Sequence, residues 1–143
     1  MPYNDPTFNA EDTQMAYMNQ EIKGRIAPAV KAVMTKYGMK GTLSVRNHMV
    51  LVLNIKSGKL NVIDNWFDTV KNDSYDKPDH LNVNPYWYRD HFSGKVKEFM
   101  VELFEAMNDG NWDNSDIQTD YFDKGWYIDV NVGNWNKPYE LTA

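Results

Sequence analysis

The stretch TLSVRNHMVLVLNIKS, residues 42–57, places two runs of β-forming residues on either side of Asn47 and His48. Apolar and polar residues alternate in TLSVR, as in a strand with one face in solvent, whereas MVLVLNIKS is apolar on both faces for most of its length. A strand covered on both faces belongs inside a sheet. Asn47 and His48 are short enough a link for a tight hairpin, so the runs are expected as antiparallel neighbours with the second at the sheet's centre.

Upstream, a helix is predicted over residues 11–37, with Asn9 as N-cap and Asp12 in an acidic first turn that suits the helix dipole. Ile22, Ile26, Val30, Val33, Met34 and Tyr37 recur at three- and four-residue intervals and form a stripe for burial. Pro28 lacks an amide donor and crowds the preceding turn, so a kink or a division into two helices is expected there. Gly38 and Gly41 are expected to supply the left-handed backbone that ends the helix and turns the chain into the hairpin.

Downstream, Leu60, Ile63, Phe67 and Val70 have the spacing of a short helix packed on the hairpin. Residues 71–90 read mostly as loop, rich in Asp, Asn, Pro and Ser, with HLNVN as a short edge strand. The segment SGKVKEFMVELFEAMND has one apolar face of Val96, Phe99, Met100, Leu103, Phe104 and Met107, with Ser93 as N-cap. TDYF, the turn DKG and WYIDVNV read as a second hairpin, with Trp126, Ile128, Val130 and Val132 on one face and Tyr127, Asp129 and Asn131 on the other. This order of elements implies one α+β domain over residues 1–143. It is a two-layer sandwich of an antiparallel or mixed sheet of about five strands with two long helices and one short helix.

The composition narrows the function. The chain has no cysteine, which excludes disulfides, thiol nucleophiles and cysteine metal sites. No apolar run approaches the roughly 20 residues of a membrane span, and the polar start MPYNDPTFNAEDTQ lacks the basic and apolar regions of a secretory signal. A soluble, cytoplasmic protein with no membrane partner is expected. The net charge of −5 conceals an asymmetry: between Ile22 and Ile63 there is no Asp or Glu but eight Lys and Arg, leaving all 20 acidic residues elsewhere. Such a segment matches the chain's own carboxylates, within one molecule or between copies in a homo-oligomer, or else attracts phosphates. In the second case Lys23, Arg25, Lys31, Lys36, Lys40 and Arg46 are the candidate residues for a nucleic acid, a nucleotide or a small phosphorylated ligand.

Within DGNWDNSDIQTD, residues 109–120, Asp109, Asn111, Asp113, Ser115 and Asp120 occupy the first, third, fifth, seventh and twelfth positions of a calcium-type loop. The glycine of the sixth position and the bidentate glutamate of the twelfth are replaced by Asn114 and Asp120. Side chains that cap the helix end and build turns are therefore the expected role, and no metal or cofactor is expected. His80 and His91 each follow an Asp, but neighbours on a strand point to opposite faces, so adjacency alone makes no dyad. A hydrolase using either histidine is a lesser alternative to a non-enzymatic protein. In NPYWYRDHF, Tyr86, Trp87 and Tyr88 surround Arg89, a composition typical of interface anchors.

With NVNPYWYRDHF, the helix over 92–107 and NWDNSDIQTDYFDKGWYIDVNVGNW in view, the chain resembles the large polyvalent protein-associated domains of phages and other mobile elements. The SVR strand and its hairpin share in the likeness, and its most specific part spans residues 108–139. The resemblance implies an accessory protein delivered with, or expressed early from, a mobile genome, and it brings no catalytic motif. The expected function is occlusion of a host macromolecule, a host protein foremost, for instance in a defence system. Tyr86, Trp87, Tyr88, Arg89, Trp112, Asp113 and Asp116 are the expected contacts.

Overall fold

Asn47 and His48 both adopt left-handed backbone, with φ of 54° and 56°, and the Met49 N–H closes the turn on the Arg46 carbonyl at 3.1 Å. Two successive positive φ values give a turn the twist that antiparallel strands share. The turn joins β1 (Met39–Arg46) to β2 (Val50–Gly58), paired from Arg46↔Val50 to Met39↔Gly58. The computed structural model describes residues 17–70, 77–111 and 125–142.

The sheet is mixed and five-stranded. On its other edge β2 pairs in parallel with β4 (Tyr127–Val132), and β4 pairs antiparallel with β3 (Leu81–Val83), giving the order β1-β2-β4-β3. A two-residue strand, β5 (Glu140–Leu141), pairs with Ser57 and Gly58 of β2, continuing the lane that β4 leaves at Val132. As expected, β2 is central and HLNVN contains an edge strand. The first arm of the expected second hairpin, TDYF, lies outside the described residues; among those residues the neighbours of β4 are β2 and β3. In the 71–90 segment the start of a short helix, Tyr88–His91, was not expected beside the edge strand. Residues 71–76 of the segment lie outside the described ones.

The helices are α1 (Gln20–Lys36), α2 (Val62–Val70), the single turn α3 (Tyr88–His91) and α4 (Gly94–Met107). α1 starts later than the periodicity implied. Its cap is Asn19, whose Oδ1 accepts from Ile22 N at 2.8 Å, while residues 17–19 are not helical and Asn9 and Asp12 lie outside the described residues. Pro28 lies inside α1 without dividing it. Pro28 and Gly24, the residue one turn back, are both exposed, so the carbonyl that loses its donor is open to water. Gly38 is left-handed, φ 70°, as expected. Gly41 is not; it sits where β1 shifts register, and a Cβ there would stand 2.3 Å from the Asn54 carbonyl oxygen. Close approach of the neighbouring strand, and not handedness, requires that glycine.

Ile26, Val30 and Met34 of α1 and all six apolar-face residues of α4 pack on Leu51, Leu53 and Ile55 of β2 and on Val130 and Val132 of β4. Trp126 closes this core, with its indole N–H donating to the Met107 carbonyl at 3.1 Å. Ser93 precedes α4 but its side chain makes no cap bond; Asn65 of α2 accepts from Ser93 N at 2.9 Å and donates to Ser93 O at 3.1 Å, joining the two helices. The helices lie on one face of the sheet. Its other face presents Ser44, Arg46, Asn54, Asn82, Asp129 and Asn131. Among the described residues no helix is long and apolar enough to cross a membrane.

Candidate binding surface

Leaving β3 at Val83, opposite Val130, the chain runs towards the end of the sheet where β4 begins. Asn84 stops it there: its Oδ1 accepts from Tyr86 N at 2.8 Å and Trp87 N at 3.2 Å. An Asn side chain that bonds the backbone two and three residues on sets a turn without help from the core. The turn leaves Tyr86 68% and Trp87 56% exposed. The Trp87 carbonyl then accepts from Asp90 N and His91 N, starting α3.

Tyr88 departs from the expected contact set. It is 7% exposed and stacks on Phe104, with ring centroids 4.2 Å apart and planes 8° from parallel. Arg89 lies with its guanidinium carbon 5.1 Å from the Tyr88 ring centroid and remains exposed. Of the four aromatic-segment candidates, Tyr86, Trp87 and Arg89 are thus on the surface and Tyr88 anchors them to the core.

Three further large side chains, not expected in the set, are exposed at this end of the sheet. Tyr127, at the start of β4, bonds through its N–H to the Met49 carbonyl at 2.9 Å, and Tyr17 N–H reaches the Gly125 carbonyl at 2.7 Å. Tyr17, Met49 and Tyr127 are each at least 36% exposed. The alternation of WYIDVNV points Tyr127 outwards, but nothing in the spacing ties it to Tyr86, and Tyr17 falls within the helix predicted over residues 11–37.

The 109–120 loop is described only to Asn111; Trp112, Asp113 and Asp116 lie outside the described residues. Asp109 pairs with Arg25 at 3.4 Å. Asn111 Oδ1 accepts from Trp126 N at 2.9 Å and its Nδ2 donates to Trp126 O at 3.0 Å. The first and third positions of the calcium pattern are thereby occupied in holding the fold, and among the described residues no cluster of three metal-ligating side chains occurs.

Three of the six candidate anion-binding residues are used within the chain. Arg25 pairs with Asp109, Lys36 with Glu102 at 2.9 Å and Arg46 with Asp129 at 2.8 Å, each crossing from the basic segment to the acidic part. The Arg46 bridge spans β2 on the open face, in the rows of Val50 and Val52. Asp129 also accepts from Asn82, and a chain of amides runs from Asn82 to Asn131 to Asn54 across three strands. Lys23 bonds Gln20 at 3.2 Å. Lys31 and Lys40 have no hydrogen-bond or ion-pair partner among the described residues, and both line a groove beside α1.

Among the described residues three titrating groups carry displaced pKa values: Tyr139, pushed up to about 12 by burial, and the bonded pair of Tyr37 and Glu102. The Tyr37 hydroxyl donates to Glu102, a bond that with burial and nearby Glu98 pushes the phenol up to about 12. The same bond, with that from Lys36, holds the Glu102 carboxyl below the usual carboxylate range. Both groups tie α1 to α4 and stand away from the aromatic end. Asp79 and His80 do meet, Oδ1 to Nδ1 at 2.7 Å, because they precede β3 and are free of a strand's alternation. Both are well exposed, and among the described residues no third group bonds the imidazole. His91, on α3, makes no such pair with Asp90 among those residues.

Compared with known protein families, curated proteins and solved structures, the chain matches none.

Proposed function

We propose that the protein is a non-enzymatic accessory protein of a phage or mobile element that binds and occludes a host protein in the bacterial cytoplasm, for instance a component of a defence system. The observation that carries this reading is the exposure of Tyr86 and Trp87 on a turn fixed by Asn84 and rooted through Tyr88 in the core. Large apolar side chains held rigidly in solvent lose little entropy on binding, and aromatic and Arg residues dominate interface energies. Arg89 beside them is exposed too, and Tyr127, Met49 and Tyr17 are further exposed large side chains at the same end of the sheet. Trp112, Asp113 and Asp116, which lie outside the described residues, stay in the contact set on sequence grounds alone. The mobile-element context rests on the resemblance alone.

The test is affinity capture from a bacterial host lysate, read by mass spectrometry, with the parent chain and Tyr86→Ala/Trp87→Ala side by side. A partner held by the parent and lost by the double variant, with unchanged circular dichroism, is the expected result. A partner retained by the folded double variant removes this surface from the function. The alternative, binding of nucleic acid through the basic segment, is weakened by the internal pairing of Arg25, Lys36 and Arg46. It would show as an affinity falling steeply with salt.

A further inference from the structure

Between α1 and β1 runs a groove of about 610 Å³, within the roughly 300–1,000 Å³ of small-ligand sites. Its floor is apolar: Val30, Met34 and Leu53, each at most 6% exposed, with Leu43 alongside. It is open because the α1 wall carries Gly24 and Ala27; a Cβ built on Gly24 would meet nothing within 4 Å. Lys31 from α1 and Lys40 from β1 border it, both exposed. No Asp or Glu is among the described residues that line it.

Two ammonium groups without a partner among the described residues, beside an apolar floor, define a ligand by its chemistry. Every paired cation of the basic segment meets its carboxylate elsewhere, at Asp109, Glu102 or Asp129. A nucleic-acid duplex would bring rows of phosphates but no apolar body for Met34 and Leu43. We propose that this groove binds a small amphipathic anion, an apolar chain with a single carboxylate or phosphate head. The chain lies along Ala27, Met34 and Leu43, and the head sits between Lys31 and Lys40. Burial of the chain supplies the affinity and the lysines fix its direction.

Isothermal titration of the full chain with dodecanoate, dodecyl phosphate and dodecanol, below their aggregation concentrations, tests the proposal. One-to-one binding of at least one anion is expected, and the preferred anion tells a carboxylate source from a phosphate source. Lys31→Met with Lys40→Met should weaken anion binding by roughly tenfold, the contribution of a charge-assisted bond, while leaving any dodecanol binding unchanged. Gly24→Leu should fill the groove and abolish binding while melting no lower than the parent, since glycine inside a helix is itself unfavourable. Failure of both anions to bind, or binding that survives Gly24→Leu, overturns the proposal. Binding of an acidic amphipathic peptide with neither anion bound also overturns it and assigns the groove to a protein partner.

Discussion

Asn111 bonds both main-chain polar groups of Trp126, accepting from its N–H at 2.9 Å and donating to its carbonyl at 3.0 Å. One side-chain amide thus imitates a strand neighbour and ties the end of α4 to the start of β4. Asn111→Ala leaves those groups without their partner, and the expected loss in unfolding free energy is about 1–3 kcal/mol, read from urea denaturation. Asn111→Asp should be no better, because it keeps the acceptor but sets a carboxylate against the Trp126 carbonyl.

Calcium is expected to leave the melting temperature unchanged, since Asn111 Oδ1 is committed to Trp126 and Asp109 to Arg25. A ligand that binds only the native state must stabilise it. A calcium-dependent rise in differential scanning fluorimetry would show that the loop binds the ion despite these bonds.

Trp87 and Tyr88 are adjacent and should behave oppositely. Tyr88→Ala empties a stacked core position and is expected to cost about 3 kcal/mol or more, whereas Trp87→Ala, at an exposed site, should stay within roughly 0.5 kcal/mol of the parent. Chemical denaturation of both variants checks the contrast. A large loss for Trp87→Ala would return that side chain to the interior.

The pair of Tyr37 and Glu102 should shape stability at both pH extremes. Glu102 has a lowered folded pKa, so its contribution is present above the ordinary value of 4.5 and is lost as pH falls through the folded value. Tyr37 is raised from 10.0 to about 12, so its contribution is complete below 10.0 and is lost as pH rises towards 12. Tyr139, raised to about 12 by burial, acts only on the alkaline side. Tyr37→Phe should flatten both limbs, and Tyr139→Phe the alkaline limb alone, in urea midpoints measured at about pH 3, 7 and 11.

Gly133 and Gly24 form a second contrasting pair. Gly133 has φ of 71°, and a Cβ there would stand 2.5 Å from the Tyr139 amide nitrogen, where the excursion between β4 and β5 closes on itself. Gly133→Ala should destabilise by more than about 1 kcal/mol, whereas Gly24→Ala should stabilise by up to about 1 kcal/mol. Thermal melts of the two variants read the opposite signs.

What the sequence disclosed depended on the range of the interaction. Ile26, Val30 and Met34, and the six-residue face of α4, were readable because burial repeats at helical spacing. The hairpin was readable because its turn is local. The parallel pairing of β2 with β4 leaves no periodic trace, because the alternation of WYIDVNV reports a strand's faces but not its neighbours. Tyr88 was misplaced for a related reason: its neighbours Tyr86 and Trp87 share its composition, and only the approach of Phe104 from α4 distinguishes it. The gathering of Tyr17, Met49 and Tyr127 at one end of the sheet arises from strand order, which no single segment encodes.

The parallel register Val50↔Tyr127 to Ile55↔Val132 also dictates a chronology. As the chain leaves the ribosome, β1 and β2 can join within moments of each other, yet the second edge of β2 must wait until Tyr127 to Val132 have been made before its partner exists. During that interval an apolar strand, with Leu51, Leu53 and Ile55 on its inner side, is unshielded. Chains that end before Tyr127 are therefore expected to self-associate through β2. Slowing translation downstream of residue 58 should lower the soluble yield by lengthening that exposure.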